Sequence, residues 1–522
     1  MNRILVYCIF CMIAFSYISC DDYLKDDSGD LLIPKTVLEY VPVLYKEGYP
    51  RTFNTDVAWV KLMTDDVEMG YLEKDPNSSW NSDGFDVLSG GEGRQAYIWH
   101  YNIEEKITDN NWARRYEDIL GCNVIIDALP EMEYNPESEL GKYNSLASQA
   151  YALRAYHYFC LVNTYALPWS KDNLDELGVI IRTQPQIDIA PRERSTIREV
   201  YELINEDIKI AQEYAAQAEV SINKHMLSPA AIQLLATRIA LFQEDWETVI
   251  KIGTVFLREN STILDLNGVD ESIMGTDVVA DFKIMDIDGN KEIVFTFGST
   301  SSNYDFLSSP TTMWNLGFRV SHNDDGSLLK AYEQGDEEDL RLLAYFQQDI
   351  FTPSWWPGII PDEWKYKYHY PIKYKSSLKA SGCRENWRTV EVVLNVAEAY
   401  ARQANDISSD AIQLINELRA KRIKTSTYVE KSVTDFANKE ELVKFIWAER
   451  RRELCFEETM RFWDLRRQGM PQQIHRFYES KTSFETFVLP QGSKNYVLAI
   501  PNSELNANRL VTSNVREDIK AQ

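Results

Sequence analysis

The chain has 522 residues, 44% hydrophobic and 26% charged, values of a folded globular protein that exclude wholesale disorder. Eighty acidic residues against 55 basic ones leave a formal charge of -25, which argues against nucleic acid and anionic lipid surfaces as partners, since both call for a basic face. Aromatic residues make up 12% of the chain, 13 of them tryptophan, a surplus that returns below as candidate binding surface.

The first twenty residues, MNRILVYCIFCMIAFSYISC, set one basic residue, Arg3, before an apolar run from Ile4 to Ile18. The run falls short of the ~20 residues that span a bilayer and has the form of a secretory signal core. Ser19-Cys20 followed by Asp21-Asp22 resembles the box at which bacterial lipoproteins are cut and acylated, with Tyr17 where leucine is preferred. This makes 1–19 a lipoprotein signal peptide and Cys20 the candidate lipid anchor; cleavage after Ala14-Phe15-Ser16 is the alternative. Each acyl CH2 buried in a membrane contributes about 0.8 kcal/mol, so several chains hold stably. The acid-rich stretch 20–30 reads as a tether. Cys122, Cys160, Cys383 and Cys455 are widely spaced without a CxxC pair and read as buried free thiols rather than a zinc or redox centre.

Along the mature chain, helical periodicity runs through 112–129 and 146–166, the second ending before Leu167-Pro168. Ser195-Thr196 with Glu199 predicts a capped helix over 196–218, and Ser228-Pro229 opens another. Segments 228–243 and 245–258 form a helix pair with almost no linker, and 389–404 with 409–423 form a second pair. Small residues (Ala231, Ala236, Ala240) at helical spacing predict tetratricopeptide-like hairpins without a strict period. Segment 282–297 predicts a β-hairpin turning at Asp288-Gly289. Asp286, Asp288 and Asn290 have calcium-loop spacing but lack the later glutamate, so the turn is preferred and no metal or cofactor is expected. From 261 to 390 the periodicity fades into a loop-rich insertion of the kind that carries function, with alternating Trp364–Tyr370 read as a buried strand face. The division expected is 31–260, a helical N-terminal region, and 261–522, a C-terminal region containing that insertion.

The strongest local feature is AERRRELCFEETMRFWDLRR, residues 448–467. Read as one helix, it puts Arg450, Glu453, Glu457, Arg461 and Asp464 in a single stripe of complementary charge, a structural ion-paired face rather than a catalytic one. This segment resembles the signature of the SusD/RagB family, with Glu458 where glycine is usual and Met460 also off-pattern. Further matches follow in family order: Cys20-Asp21-Asp22-Tyr23-Leu24; Thr64-Asp65-Asp66; Leu153-Arg154-Ala155-Tyr156 with Tyr165 and Pro168; and Glu292-Ile293-Val294-Phe295. After these come Tyr332 with Asp339 and Arg341, Ala397-Glu398-Ala399-Tyr400, Ile415 to Arg419, and Ile500-Pro501 with Glu504, Asn508 and Asn514.

The resemblance implies a mainly α fold: a tetratricopeptide-like helical-hairpin scaffold with a loop-rich second lobe and a few short β-hairpins. It implies an outer-membrane lipoprotein of Bacteroidota, facing the cell exterior, that captures glycan and delivers it to a SusC-like TonB-dependent transporter. The residues themselves add an aromatic surplus: eight rings between 351 and 374, including Trp355 and Trp356. Flat rings stack on the apolar faces of pyranoses while amides take the hydroxyls. Trp355 and Trp356 are therefore candidate glycan-binding residues, and the resemblance adds Trp80, Asn81, Trp99 and Trp314, which lie where the family often places its ligand arc. Three rivals stand beside this non-enzymatic reading: a surface glycoside hydrolase, a peptide or glycopeptide binder, and a pure protein-interaction scaffold.

Overall fold

The computed structural model describes residues 34–50, 58–69, 92–107, 111–187, 190–221, 223–271, 274, 289–298, 318–322, 324–346, 385–478 and 483–522. The chain is built mainly of helices: α1 (Val37–Glu47), α2 (Glu92–Tyr97), α3 (Asn111–Ala128), α4 (Leu140–Tyr165), α5 (Ile197–Ala215), α6 (Pro229–Phe242) and α7 (Trp246–Glu259) in the first half. The second half adds α8 (Arg341–Tyr345), α9 (Thr389–Gln403), α10 (Ser409–Arg419), α11 (Lys439–Leu454), α12 (Met460–Arg467) and α13 (Asn502–Ala507). Six short strands pair two by two, each pair antiparallel: β1 (Val67–Met69) with β3 (Phe318–Val320), β2 (Ile293–Phe297) with β4 (Glu385–Arg388), and β5 (Gln473–Tyr478) with β6 (Phe484–Leu489).

The helix starts follow the local chemistry. Thr36 and Glu39 close a capping box on α1, and Thr196 and Glu199 close one on α5. Ser228 caps α6 ahead of Pro229, and Ser408 caps α10. α4 starts six residues before the expected 146, with a first turn that is exposed or half-buried; from Leu146 onward all but one of its residues are buried. A helix apolar on every side belongs inside the core, and α4 packs between α3 and α5. α6 and α7 form the predicted hairpin, as do α9 and α10.

The two hairpins meet through α7 and α9. A Cβ on Gly253 would lie 2.2 Å from Val396 Cγ2, so glycine is what lets these axes approach. Gly121 does the same for α3 against α1, where a Cβ would sit 2.1 Å from the Glu47 carbonyl oxygen. Cys122, Cys160 and Cys455 are buried free thiols; Cys383 and the Trp364–Tyr370 alternation lie outside the described residues, as do residues 282–288 of the expected hairpin. The described partner of β2 is β4, a strand far away in sequence. Among the described residues no helix is long and apolar enough to cross a membrane.

Candidate functional site

The signature segment departs from its expected form. α11 ends at Leu454 and α12 begins at Met460; between them Phe456 and Glu458 take left-handed backbone at φ 62° and 43°. The single stripe of charge is therefore corrected. Of its five members only Arg450 and Asp464 pair with each other, at 2.8 Å, and Arg450 also donates to Asn395 Oδ1. The others turn to distant partners.

Glu453 is the hub. Arg422 Nε donates to its Oε2 at 3.0 Å, Arg388 Nη1 to its Oε1 at 2.8 Å, and Arg341 Nη1 reaches it at 3.3 Å. Glu292, at the entry to β2, is clamped by the same pair: Arg388 at 3.0 Å and Arg422 at 2.8 Å. Arg388 also binds Glu457. Arg341 is held in turn by Asp339 and by Glu449 at 2.6 Å. All these side chains are buried, Glu453 and the three arginines completely so.

Burial alone raises carboxyl pKa values, but the surrounding guanidinium groups outweigh it here. They hold Glu449 down at about 2 and Glu453 well below the usual range. These carboxylates are fixed as anions and cannot shuttle protons at neutral pH. Arg461, another member of the stripe, binds Asp65 through two bonds of 2.7 and 2.6 Å, and Arg451 binds Asp66 at 2.7 Å. The matched residues Glu398 and Arg467 pair at 2.7 Å, and Arg154 pairs with Asp207 at 2.6 Å. Arg388 and Arg422, central to this network, escaped the sequence reading; the signal was an arginine next to an apolar helical run (Trp387-Arg388-Thr389-Val390).

Glu458, in the place of the usual glycine, builds a neighbouring cluster. Its carboxylate accepts from Tyr156 Oη at 2.8 Å, Arg238 Nη1 at 3.0 Å and Trp387 Nε1 at 2.9 Å, and its N–H donates to Glu385 at 2.7 Å. Arg238 grips Glu391 with two further bonds of 2.7 Å. Burial raises the Glu458 carboxyl, Arg238 opposing and Glu391 adding to the rise. The space beside Asp66, Glu457 and Glu458 amounts to about 10 Å³, room for roughly one water molecule and not for a sugar.

Of the six candidate ligand residues, Trp99 lies among the described residues and is corrected: it is fully buried. Its backbone is left-handed at φ 53°, its indole N–H donates to the Met63 carbonyl at 3.0 Å, and its ring stacks on His475 at 4.0 Å. His475 stacks on Tyr97 as well, and burial holds its pKa down at about 4, so this aromatic set is neutral core. Trp80, Asn81, Trp314, Trp355 and Trp356 lie outside the described residues. Their attachment points are described. Met69, from which residues 70–91 depart, pairs with Phe318, at which 299–317 arrives. Phe297, separated by Gly298 from the start of that connection at 299, pairs with Glu385, at which 347–384 arrives. Four of the six ends of the three segments bearing the five residues thus lie at two strand ladders; the other two adjoin α2 and α8.

Two sequence models match the chain. One described as "Starch-binding associating with outer membrane" covers residues 60–241, and the SusD family model covers 349–516. A SusD-like protein of Formosa agariphila is 22% identical over 392 residues, spanning 70% of this chain and 73% of that one. Among solved structures, a SusD superfamily protein from Bacteroides thetaiotaomicron superposes with a TM-score of 0.67 at 20% identity, covering 92% of this chain and all of the other. One from Bacteroides vulgatus described as a putative sugar binding protein gives 0.68 at 18% identity, covering 93% of this chain and 99% of its own.

Proposed function

The chain belongs to the SusD/RagB family, and from that premise we propose that it is a surface lipoprotein that binds glycan and passes it to a SusC-like TonB-dependent transporter in the outer membrane. The observation that carries the reading is the match of both family models in order along the chain, one of them described as starch-binding. Cys20 is the lipid anchor and tethers the protein to the outer membrane facing the exterior. Trp355, Trp356, Trp80, Asn81 and Trp314 hold the glycan, the rings by stacking and the amide by hydrogen bonds to hydroxyls. Support comes from the two strand ladders, which bring together four of the six ends of the segments bearing these residues.

The protein works without catalysis. A glycoside hydrolase needs two carboxylates about 5–9.5 Å apart flanking a cleft. The signature carboxylates are instead locked on arginines, and Glu391 and Glu458 share the buried Arg238. The test is binding of the lipid-free chain from Asp21 to a panel of soluble polysaccharides, with product release measured alongside. Retardation of the chain by a glycan that stays intact supports the reading. Cleavage of that glycan overturns the non-enzymatic part.

A further inference from the structure

The β5–β6 ribbon turns an apolar face outward. Side chains alternate along both strands. Gln473, His475 and Phe477 on β5, with Phe487 and Leu489 on β6, point inward and are buried. The outward set is three cross-strand pairs: Ile474 with Val488, Arg476 with Thr486, and Tyr478 with Phe484. Ile474 is 48% and Phe484 47% exposed, and the other four are half-buried. The solvated face of an antiparallel pair is ordinarily polar; here four of the six side chains are aliphatic or aromatic.

The inner face fixes this surface in place. His475 stacks on Tyr97 at 4.2 Å and on Trp99 at 4.0 Å, and Gln473 Nε2 donates to Tyr496 Oη at 2.8 Å. On the outward side the Tyr478 and Phe484 rings meet with centroids 5.2 Å apart and planes tilted by 51°. The Arg476 guanidinium lies 5.9 Å from the Phe484 centroid, and its Nη1 donates to both carboxylate oxygens of Asp324 at 3.2 Å. The cation is compensated where it stands, so the face carries no net charge to select an anion, and both members of the pair reach solvent.

Size decides what this face can hold. Four steps along β5 at ~3.4 Å each, and two strands ~4.8 Å apart with their side chains, give a platform roughly 14 Å by 10 Å. That area is far below the ~800 Å² per partner of a specific protein interface, and it matches a few sugar rings in a row. We propose that the outward face of β5–β6 is a further contact for a neutral glycan chain. Tyr478 and Phe484 stack on the C–H faces of pyranoses, Ile474 and Val488 continue the apolar strip, and the Arg476–Asp324 pair supplies a donor and an acceptor for hydroxyls. The inference rests on the glycan-binding reading and adds to it a charge class and a second place of contact. The two places adjoin. β5 packs beside β1, from whose last residue, Met69, the segment bearing Trp80 and Asn81 departs. Arg94, two residues past that segment's return at Glu92, donates to Glu485 of β6 at 2.8 Å.

The test uses the mature chain from Asp21, with cellohexaose, maltohexaose, xylohexaose and mannohexaose as probes in calorimetry, beside native-gel retardation by soluble polysaccharides. At least one neutral glycan should bind in one of the two assays, with an affinity that changes less than twofold as salt is raised, because no net charge is screened. Phe484→Leu keeps apolar bulk without the flat ring, and Tyr478→Ala removes the second ring; each should weaken that glycan about tenfold. Tyr478→Phe keeps the ring and should bind within twofold of the wild type. All three should melt at the wild-type temperature, since the side chains replaced face solvent. Wild-type affinity in both Phe484→Leu and Tyr478→Ala would overturn the proposal, as would lost binding accompanied by a lower melting temperature in both. A tenfold fall in affinity with salt would overturn the neutral class. Sedimentation of the wild type as a dimer that Phe484→Leu dissociates would assign the face to a second copy instead. Should a glycan bind the wild type and both variants equally, this inference alone fails; should no glycan of any kind bind the wild type, the glycan reading fails.

Discussion

Replacing Glu458 by glycine sets backbone strain against buried hydrogen bonds. A residue with a Cβ in left-handed backbone costs roughly 1–2 kcal/mol that glycine does not incur, so Glu458→Gly gains about that much at φ 43°. The same change strips the acceptor from Tyr156 Oη, Trp387 Nε1 and one nitrogen of Arg238. A buried donor left unsatisfied costs about 1–3 kcal/mol, and the bond to a charged group sits at the upper end of that range. Arg238 keeps both bonds to Glu391, so its charge stays compensated. Balancing about 5 kcal/mol lost against about 1.5 regained leaves a destabilisation of ~3.5 kcal/mol. With an unfolding entropy of about 2.1 cal/mol/K per residue, a chain this long shifts by only about 1 °C per kcal/mol, so Tm should fall by about 3 °C. Calorimetry of the lipid-free chain measures this, and Trp387 fluorescence should shift as its indole N–H loses its partner. A variant that melts at or above the wild-type temperature refutes the reasoning, because strain relief would then outweigh the hydrogen bonds.

Further predictions follow from the same network. Glu453→Ala leaves three buried arginines short of their common acceptor and should destabilise by about 3–5 kcal/mol, read as a drop in Tm and soluble yield. Glu449 has its pKa lowered to about 2 by Arg341, Arg452 and Arg419 against the effect of burial. Its stabilisation is complete above the unfolded value of 4.5 and is lost as pH falls through about 2. Near-UV circular dichroism should therefore decay across that window, and Glu449→Gln should flatten the decay. Gly253→Ala pushes a methyl into Val396 and should cost about 1–3 kcal/mol in denaturant unfolding, largely rescued by Val396→Ala. Trp99→Ala should lower Tm sharply, at about 3–5 kcal/mol for a lost core ring, with glycan retardation of the folded fraction unchanged.

Local features of the fold were legible in the sequence. The caps at Thr196 and Ser228 act within one turn, so residue order alone reveals them. The α6–α7 and α9–α10 hairpins were readable because their joints are short. The reading of 448–467 as one helix failed because the charge spacing continues unbroken through Glu457 while the break is imposed from outside. Glu385 captures the Glu458 N–H, and Arg238, Tyr156 and Trp387 hold its side chain, all far away in sequence. The family's usual glycine at that position was the available hint of left-handed backbone.

Arg388 and Arg422 were missed for the same reason: Arg388 stands before an apolar run and Arg422 in a basic stretch, and neither pattern names the carboxylate that meets it. The resemblance marked Trp99 as a candidate ring by its position along the chain, which does not distinguish core from surface; the ring that stacks on it, His475, comes from the distant β5.

The central claim, glycan capture without catalysis, is tested most directly by native-gel retardation of the chain from Asp21 in soluble polysaccharides, run beside a Trp355→Ala/Trp356→Ala variant. The account predicts retardation by at least one glycan, which emerges uncut, and loss of that retardation in the variant at an unchanged melting temperature. Absence of retardation across plant, host and microbial glycans, or cleavage of the glycan that binds, would contradict it.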